Sequence, residues 1–116
     1  MSFHDDLKSC IHLYIKTVYR LTKKFPEDEK FGITSQLRRA SMSVMLNYVE
    51  GFARSTGKDC KVYNNFLRIA YGSLKESRYL IFFSFEENYI NQLEYKRALE
   101  FSDRIGGMIW SILNKK

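Results

Sequence analysis

The chain has 116 residues, of which 45% are hydrophobic and 28% charged, a size and composition that fit one globular domain. With six glycines and one proline, it has too few breaks for many short strands joined by turns. Lysine and arginine exceed aspartate and glutamate by 19 to 13, and the resulting charge of +6 favours polyanionic partners.

Periodic apolar residues predict four helices, at about residues 3–24, 34–54, 57–87 and 92–114. In the first helix, apolar residues from Leu7 to Phe25 recur at alternating spacings of four and three, and Pro26 ends the helix. The second helix follows a short loop and continues the same pattern from Ile33 to Val44. These spacings are typical of the buried seam of an antiparallel bundle.

Capping patterns predict where the last two helices begin. Thr56 with Asp59 starts the third helix, and Asn91 with Glu94 starts the fourth. Asn88 between them suits a left-handed cap. The predicted seam residues are Leu7, Ile11, Tyr14, Val18, Leu21 and Phe25; Ile33, Leu37, Ala40 and Val44; Tyr63, Leu67, Ala70, Leu74, Ser77 and Ile81; and Ala98, Phe101, Ile105, Met108 and Ile112. Together these features predict an all-α, up-down-up-down antiparallel four-helix bundle spanning residues 1–116.

The third and fourth helices carry more apolar surface than one buried stripe requires. Gly106 and Gly107 would each cost about 1 kcal/mol relative to alanine unless a close contact uses them. Exposed aromatic patches usually mark interfaces, which favours an oligomer over a monomer with a thick aromatic core. The interface candidates are Tyr71, Phe82, Phe85 and Trp110.

A polar stripe on the second helix is predicted to face the third. Its members are Arg39, Ser43, Asn47 and Glu50 on the second helix, with Ser73 and Glu76 on the third. Because buried charges must be paired, we expect an Arg39–Glu76 bridge, with Asn47 and Glu50 capping or pairing the lower end. We interpret this polar network as structural; a small-molecule or catalytic site is the alternative.

No arrangement typical of catalysis is recognisable in the sequence. The two histidines, His4 and His12, both lie on the first helix, which leaves the other three helices without a histidine base. Glu-x-x-His, His-Glu-x-x-His and Cys-x-x-Cys are all absent. We therefore predict that the protein is not an enzyme and that it needs no cofactor or metal.

The sequence favours a cytoplasmic protein. Residues 1–6 are polar and acidic, unlike a signal peptide. The longest apolar run, residues 79–85, is far too short to span a bilayer, so no membrane partner is expected. Cys10 and Cys60 lack metal-type spacing and are interpreted as reduced thiols, with a disulfide as the minority alternative.

Two basic stripes are candidates for nucleic-acid binding. They comprise Lys16, Arg20, Lys23 and Lys24 on the first helix, and Lys61, Arg68, Lys75 and Arg78 on the third. Such cations would meet phosphates, and tyrosines beside the second stripe could stack on unpaired bases. An RNA- or DNA-binding protein is the first hypothesis, a protein-docking scaffold that uses the exposed aromatics is the second, and a stress or ribosome-associated protein is a third. An ordinary solvated face remains the plain alternative.

Several stretches together resemble one bacterial family. They are Phe25-Pro26, residues 36–40 with Glu50-Gly51, and residues 66–70 with residues 72–74 and Glu76. The chain is similar to the bacterial four-helix-bundle proteins encoded in intervening sequences of 23S rRNA genes, some of them labelled ribosomal proteins. It also resembles the accessory proteins of diversity-generating retroelements. The resemblance implies a homopentamer around a central channel, and it adds a nucleic-acid enzyme such as a reverse transcriptase as an alternative partner.

Overall fold

The computed structural model describes residues 2–55 and 60–115. Within these residues the chain is all-α and contains no strand, which confirms the fold class and the four helices predicted from periodicity. The helices are α1 (Phe3–Thr22), α2 (Ile33–Ala53), α3 (Lys61–Glu86) and α4 (Gln92–Leu113), with one 3₁₀ turn at Glu27–Glu29. The predicted start of the third helix, at Thr56 with Asp59, lies outside the described residues.

Local capping explains several helix ends. The Ser2 side chain accepts a hydrogen bond from the Asp5 N–H at the start of α1. Asn91 and Glu94 form the expected reciprocal capping box at the start of α4. Between α3 and α4, Asn88 has a φ of 64°, the left-handed conformation that asparagine tolerates. The short α3–α4 connection therefore follows from residue types visible in the sequence.

Each helix packs on two neighbours, since α1 and α3 both contact α2 and α4. Contacts at the helix ends show that neighbours run antiparallel. Arg38, near the start of α2, donates a hydrogen bond to Thr22 at the end of α1. Lys24, just beyond α1, pairs with Glu94 at the start of α4. Helices α1 and α3 are consequently diagonal, and their exposed faces point to opposite sides of the bundle.

The predicted seams of the first three helices are buried throughout. In α4 the buried residues are Ala98, Ser102, Ile105 and Ile109. Of the predicted α4 seam, Ala98 and Ile105 are fully buried, whereas Phe101, Met108 and Ile112 are half-buried and pack against the edge of the core. The strict spacing overlooked Ser102, a polar residue, and Ile109, which follows Ser102 by one heptad.

A buried hydroxyl pair crosses the core diagonally, between α1 and α3. The hydroxyl of Tyr14 lies 2.7 Å from Ser77 Oγ, which itself donates to the Leu74 carbonyl. Because Ser77 has only one hydroxyl proton, Tyr14 is the donor to it. Burial raises the pKa of Tyr14 to about 12, so the phenol stays neutral near pH 7. Among the described residues, no helix is both long enough and apolar enough to cross a membrane.

Candidate nucleic-acid interface

The two predicted basic stripes lie on opposite sides of the bundle because α1 and α3 are diagonal. They do not form one continuous patch. Each stripe instead meets residues of a neighbouring helix, which produces two separate grooves. Seven of the eight predicted cations are exposed, and Arg78 is half-buried.

The first groove runs between α1 and α2 and is strongly basic. It consists of two adjoining cavities of about 600 and 520 Å³ that share Tyr19 and Met42. We call it the α1–α2 groove; its cations are Lys16, Arg20, Lys23, Lys30, Arg38 and Arg39. None of the described residues that line it is acidic. Cations from two helices thus converge on a surface with no carboxylate in its lining; Glu94, outside the groove, interacts electrostatically with Arg20.

Arg38 is held at the floor of this groove. Its Nε donates to Thr22 Oγ1 at 2.7 Å, and its guanidinium carbon lies 4.7 Å from the ring centroid of Tyr19. Both partners are uncharged, so the positive charge of Arg38 is fixed in position without being neutralised. The sequence analysis selected Arg39 as a member of the polar stripe and did not select Arg38. The position of Arg38 directly after the seam residue Leu37 is the feature of the sequence that could have identified it.

The second groove runs between α3 and α4 and combines cations with aromatic rings. Two adjoining cavities of about 410 and 300 Å³ share Tyr71, Lys75 and Trp110. The ring centroids of Tyr71 and Trp110 are 6.0 Å apart, with the rings tilted by 44°. We call it the α3–α4 groove; its other members include Arg68, Gly72, Arg78, Asp103, Gly106 and Gly107. Arg78 is paired with Asp103, whereas Lys75 lies 5.2 Å from the ring centroid of Tyr71.

Two predicted cations belong to neither groove. Lys24 pairs with Glu94, and Lys61 is exposed in the first turn of α3. Desolvation of the Glu94 carboxyl raises its pKa, but hydrogen bonds from Lys24 and from the Asn91 backbone lower the pKa by more. The carboxylate of Glu94 is therefore favoured, and it holds Lys24 at the α1–α4 contact.

The interface candidates have different environments. Trp110 is 57% exposed and Phe82 is 43% exposed. Tyr71 is half-buried, and Phe85 is half-buried because its ring stacks on Tyr95 at 4.5 Å. The sequence analysis overlooked two residues that line the α1–α2 groove, Phe31 at 90% and Leu46 at 61% exposure. Leu46 falls outside the seam spacing and Phe31 lies in a loop, so neither stood out in the pattern.

The polar stripe forms only in part. Ser43 Oγ and Ser73 Oγ are 2.8 Å apart, and the Asn47 side-chain amide donates to Ser43 Oγ and to the Ser43 carbonyl, both at 2.9 Å. The predicted Arg39–Glu76 bridge is wrong: both side chains are exposed, and the ion pairs among residues 2–55 and 60–115 join other partners. Long charged side chains at the edge of a seam reach water, which avoids the cost of desolvation.

Glu50 pairs at the lower end of the stripe, one of the two roles expected for it. It forms an ion pair with Arg54 one turn along the same helix, at 2.7 Å. Both side chains are about half exposed, so this pair adds little stability. Cys10 and Cys60 are free thiols, the first buried and the second exposed. In the described part of the chain, no three His, Cys, Asp or Glu side chains are grouped so that they could hold a metal ion.

Comparison with known proteins connects this fold to one family. Residues 8–111 match the sequence model of the family described as 23S rRNA-intervening sequence protein. The fold is similar to the crystal structure of a protein of unknown function from the S23 ribosomal protein family of Bacteroides thetaiotaomicron, with a TM-score of 0.83. The two chains are 21% identical, and the alignment covers 94% of this chain and 99% of the other. No curated protein matches this chain.

Proposed function

This chain belongs to the 23S rRNA-intervening sequence protein family, and we propose that it binds RNA or DNA by holding the phosphate backbone in the α1–α2 groove. The observation that carries this proposal is the set of six cations, drawn from α1, α2 and the loop between them, around a groove without a lining carboxylate. Contacts to phosphate carry no sequence information, so this binding is tolerant of sequence.

The spacing of the cations suits a polyanion. Lys16, Arg20 and Lys23 follow one another at intervals of four and three, which places them along one face of α1. Arg38 and Arg39 contribute charge from α2 on the other side of the groove. A strand of phosphates that binds there releases its counterions, so the affinity falls steeply as salt is added.

We also propose that the protein acts as a homopentameric ring, the assembly implied by the family resemblance. The exposed side chains of Val62 and Ile69 on α3, which line neither groove, supply apolar surface that a neighbouring subunit would cover. Repetition of a weak phosphate-binding groove around a ring raises the overall avidity without new contacts. The light-scattering mass of the purified protein tests this assembly, and a monomeric mass would contradict it.

The proposed role is binding without catalysis. Of the two histidines, His4 shares a hydrogen bond with the Tyr48 hydroxyl. His12 is exposed on α1 and lines neither groove. Neither groove therefore contains a histidine that could serve there as a general base.

Charge reversal in the α1–α2 groove tests the binding site. The variant Lys16→Glu/Arg20→Glu/Lys23→Glu should lose about a hundredfold or more in affinity for labelled single-stranded RNA, measured by fluorescence anisotropy at low salt. The slope of log affinity against log salt should fall by about two, since each phosphate contact to a single strand contributes about 0.7. The matched control, Lys96→Glu/Arg97→Glu/Arg104→Glu, changes the same charge at exposed α4 positions outside both grooves. Equal losses in the two variants would contradict the site, and a wild type that binds no nucleic acid would contradict the function.

A protein-docking scaffold for a nucleic-acid enzyme, such as a reverse transcriptase, is the second candidate function. It is favoured by Tyr79 and Phe82, which expose 61% and 43% of their surface and whose ring centroids are 6.4 Å apart. Exposed aromatic pairs of this kind are typical of protein interfaces. Recovery of nucleic acid but no protein in a pull-down would argue against this candidate.

A further inference from the structure

The α3–α4 groove differs from the α1–α2 groove in exposing a large flat ring. Trp110 leaves more than half of its surface in solvent, although Tyr71 packs beside it. Burial of an indole removes a large apolar surface from water, which is favourable, and the ring presents a flat face on which another aromatic ring can stack. No described residue covers the remaining surface of Trp110, so the groove has room for an aromatic ligand.

Glycines keep this groove open. A Cβ atom placed on Gly72 or Gly107 would meet no other atom within 4 Å. At Gly106 it would only reach Leu74 Cδ2 at 3.5 Å, an ordinary contact. Glycine is a poorer helix former than alanine, and packing within this chain gives no reason for glycine at these positions. Larger side chains there would narrow the space beside Trp110.

The cations of the groove suit a negatively charged ligand. Arg68 and Lys75 are seven residues apart on α3 and line the same cavity as Trp110. Their partners are uncharged: Arg68 donates to the Asn65 side-chain oxygen at 3.2 Å, and Lys75 lies beside the Tyr71 ring. Asp103, the acidic residue of the groove, is already paired with Arg78. An incoming anion would therefore meet two cations that no carboxylate has neutralised.

An exposed indole beside two such cations is the arrangement that binds an unpaired nucleotide, since every base has a flat face and carries a phosphate. We infer that the α3–α4 groove binds one unpaired base of a single-stranded nucleic acid. The base stacks on Trp110, and the adjoining phosphate lies near Arg68 and Lys75. This inference rests on the proposed nucleic-acid binding but concerns a different surface, and it makes the protein selective for single strands over duplexes.

The chain offers a direct reporter, because Trp110 is its single tryptophan. We expect a deoxyadenosine strand of about twelve nucleotides to quench the tryptophan emission as it binds. An abasic strand of the same length should bind through its phosphates, as seen by anisotropy, and leave the emission unchanged. Equal quenching by both strands would overturn the inference, and so would binding of the deoxyadenosine strand without quenching.

Variants separate this site from the α1–α2 groove. Trp110→Leu and Gly107→Leu should each weaken binding of the single strand by about tenfold and leave duplex binding unchanged. The matched control is Phe82→Leu, which removes an exposed α3 ring outside the groove and should alter neither affinity. Melting temperatures near that of the wild type establish that each variant is folded.

The possible failures are distinguishable. If Trp110→Leu binds the single strand as well as the wild type, the base site is wrong and the proposed function stands. If reversing Lys16, Arg20 and Lys23 changes nothing but the strand still quenches Trp110, the α1–α2 site is wrong and the base site stands. If adenosine monophosphate and both strands neither bind nor quench, both proposals are overturned.

Discussion

The α2–α3 pair and the α3–α4 pair both place glycine within a helix, but for different physical reasons. At Gly51 in α2, an added Cβ would lie 2.8 Å from Phe66 Cβ and 3.2 Å from the Tyr63 ring, so the close approach of α3 requires glycine. At Gly72 and Gly107, beside the α3–α4 groove, the same Cβ would meet nothing within 4 Å. A helical glycine that no contact requires indicates a surface kept open, whereas a crowded one indicates packing.

The polar contacts of the two pairs differ in the same way. Across α2 and α3, Ser43 and Ser73 meet through uncharged hydroxyls in a half-buried position. Across α3 and α4, Arg78 and Asp103 form an ion pair in which both side chains remain at least one-third exposed. Both contacts are partly exposed, but only the second is an ion pair, and water weakens an exposed ion pair by screening its charges. The inferred base site therefore lies on the helix pair whose polar contact is the more exposed.

The largest effect should come from high pH, which ionises a buried phenol in the core of the bundle. The Tyr14 phenol, bonded to Ser77 of α3, has its pKa raised by burial from 10.0 to about 12. Tyr14 ionises at a lower pH in the unfolded chain than in the folded one. Its contribution to the free energy of unfolding is therefore complete below pH 10 and is lost as the pH rises to about 12. The loss is about 1.4 kcal/mol per pH unit, up to about 3 kcal/mol. Urea unfolding at pH 9, 10 and 11 should show a slope of at least this size, because burial also raises the pKa of Tyr48 and of Tyr63. Tyr14→Phe should reduce the slope by the Tyr14 contribution; equal slopes in the variant and the wild type would refute the assignment.

Substitution at the crowded glycine should have the next largest effect. Gly51→Ala forces Phe66 and Tyr63 to shift, and overpacking of this kind costs about 1–3 kcal/mol. The better helix propensity of alanine offsets about 1 kcal/mol, so we expect a net loss of up to about 2 kcal/mol in urea unfolding. Unchanged stability would mean that the α2–α3 contact relaxes easily, and the contrast between the two helix pairs would disappear.

The same substitution at the open glycine should act in the opposite direction. Gly107→Ala adds a methyl group in free space and restricts the unfolded chain, so we expect a gain of about 0.5–1 kcal/mol. Differential scanning calorimetry of Gly51→Ala, Gly107→Ala and the wild type measures the expected loss and the expected gain of stability in one series. A loss at Gly107 would show that the groove floor is packed after all.

The smallest effect concerns the ion pair beside the α3–α4 groove. Asp103→Asn removes the partner of Arg78, and because both side chains are partly exposed we expect less than about 1 kcal/mol of destabilisation. The freed guanidinium should strengthen binding of single-stranded nucleic acid by a few fold at low salt. Glu100→Asn, an exposed α4 change of the same charge away from the groove, is the matched control. Equal gains in affinity in the two variants would show that the gain comes only from the change in net charge.

The sequence predicts the elements of this fold better than their assembly. Spacings of four and three identify the buried residues of α1, α2 and α3, because inward positions repeat along one helix independently of its neighbours. Predicting which cations lie in the same groove also requires the order of the helices around the bundle. The predicted up-down-up-down topology already places α1 diagonal to α3, so the separation of the two basic stripes was available from the sequence and was overlooked.

Other features depended on side-chain detail that periodicity does not contain. Arg38 and Arg39 are adjacent, yet Arg38 is half-buried against Thr22 while Arg39 stays exposed. Ser102 is buried in α4, where an apolar residue was expected at its neighbour Phe101. Both cases depend on which polar groups meet across helices, and this is set by the rotation of each helix about its axis.

The hydroxyl pair between Tyr14 and Ser77 also bears on how the chain folds. These residues are 63 positions apart and belong to helices that do not pack directly against each other. Short connections let α3 and α4 meet early, because the entropy lost in closing a small loop is low. The Tyr14 hydroxyl, in contrast, finds its acceptor only when α1 closes the bundle. Docking of α1 should therefore be the step that makes folding cooperative, with no stable species of three helices before it.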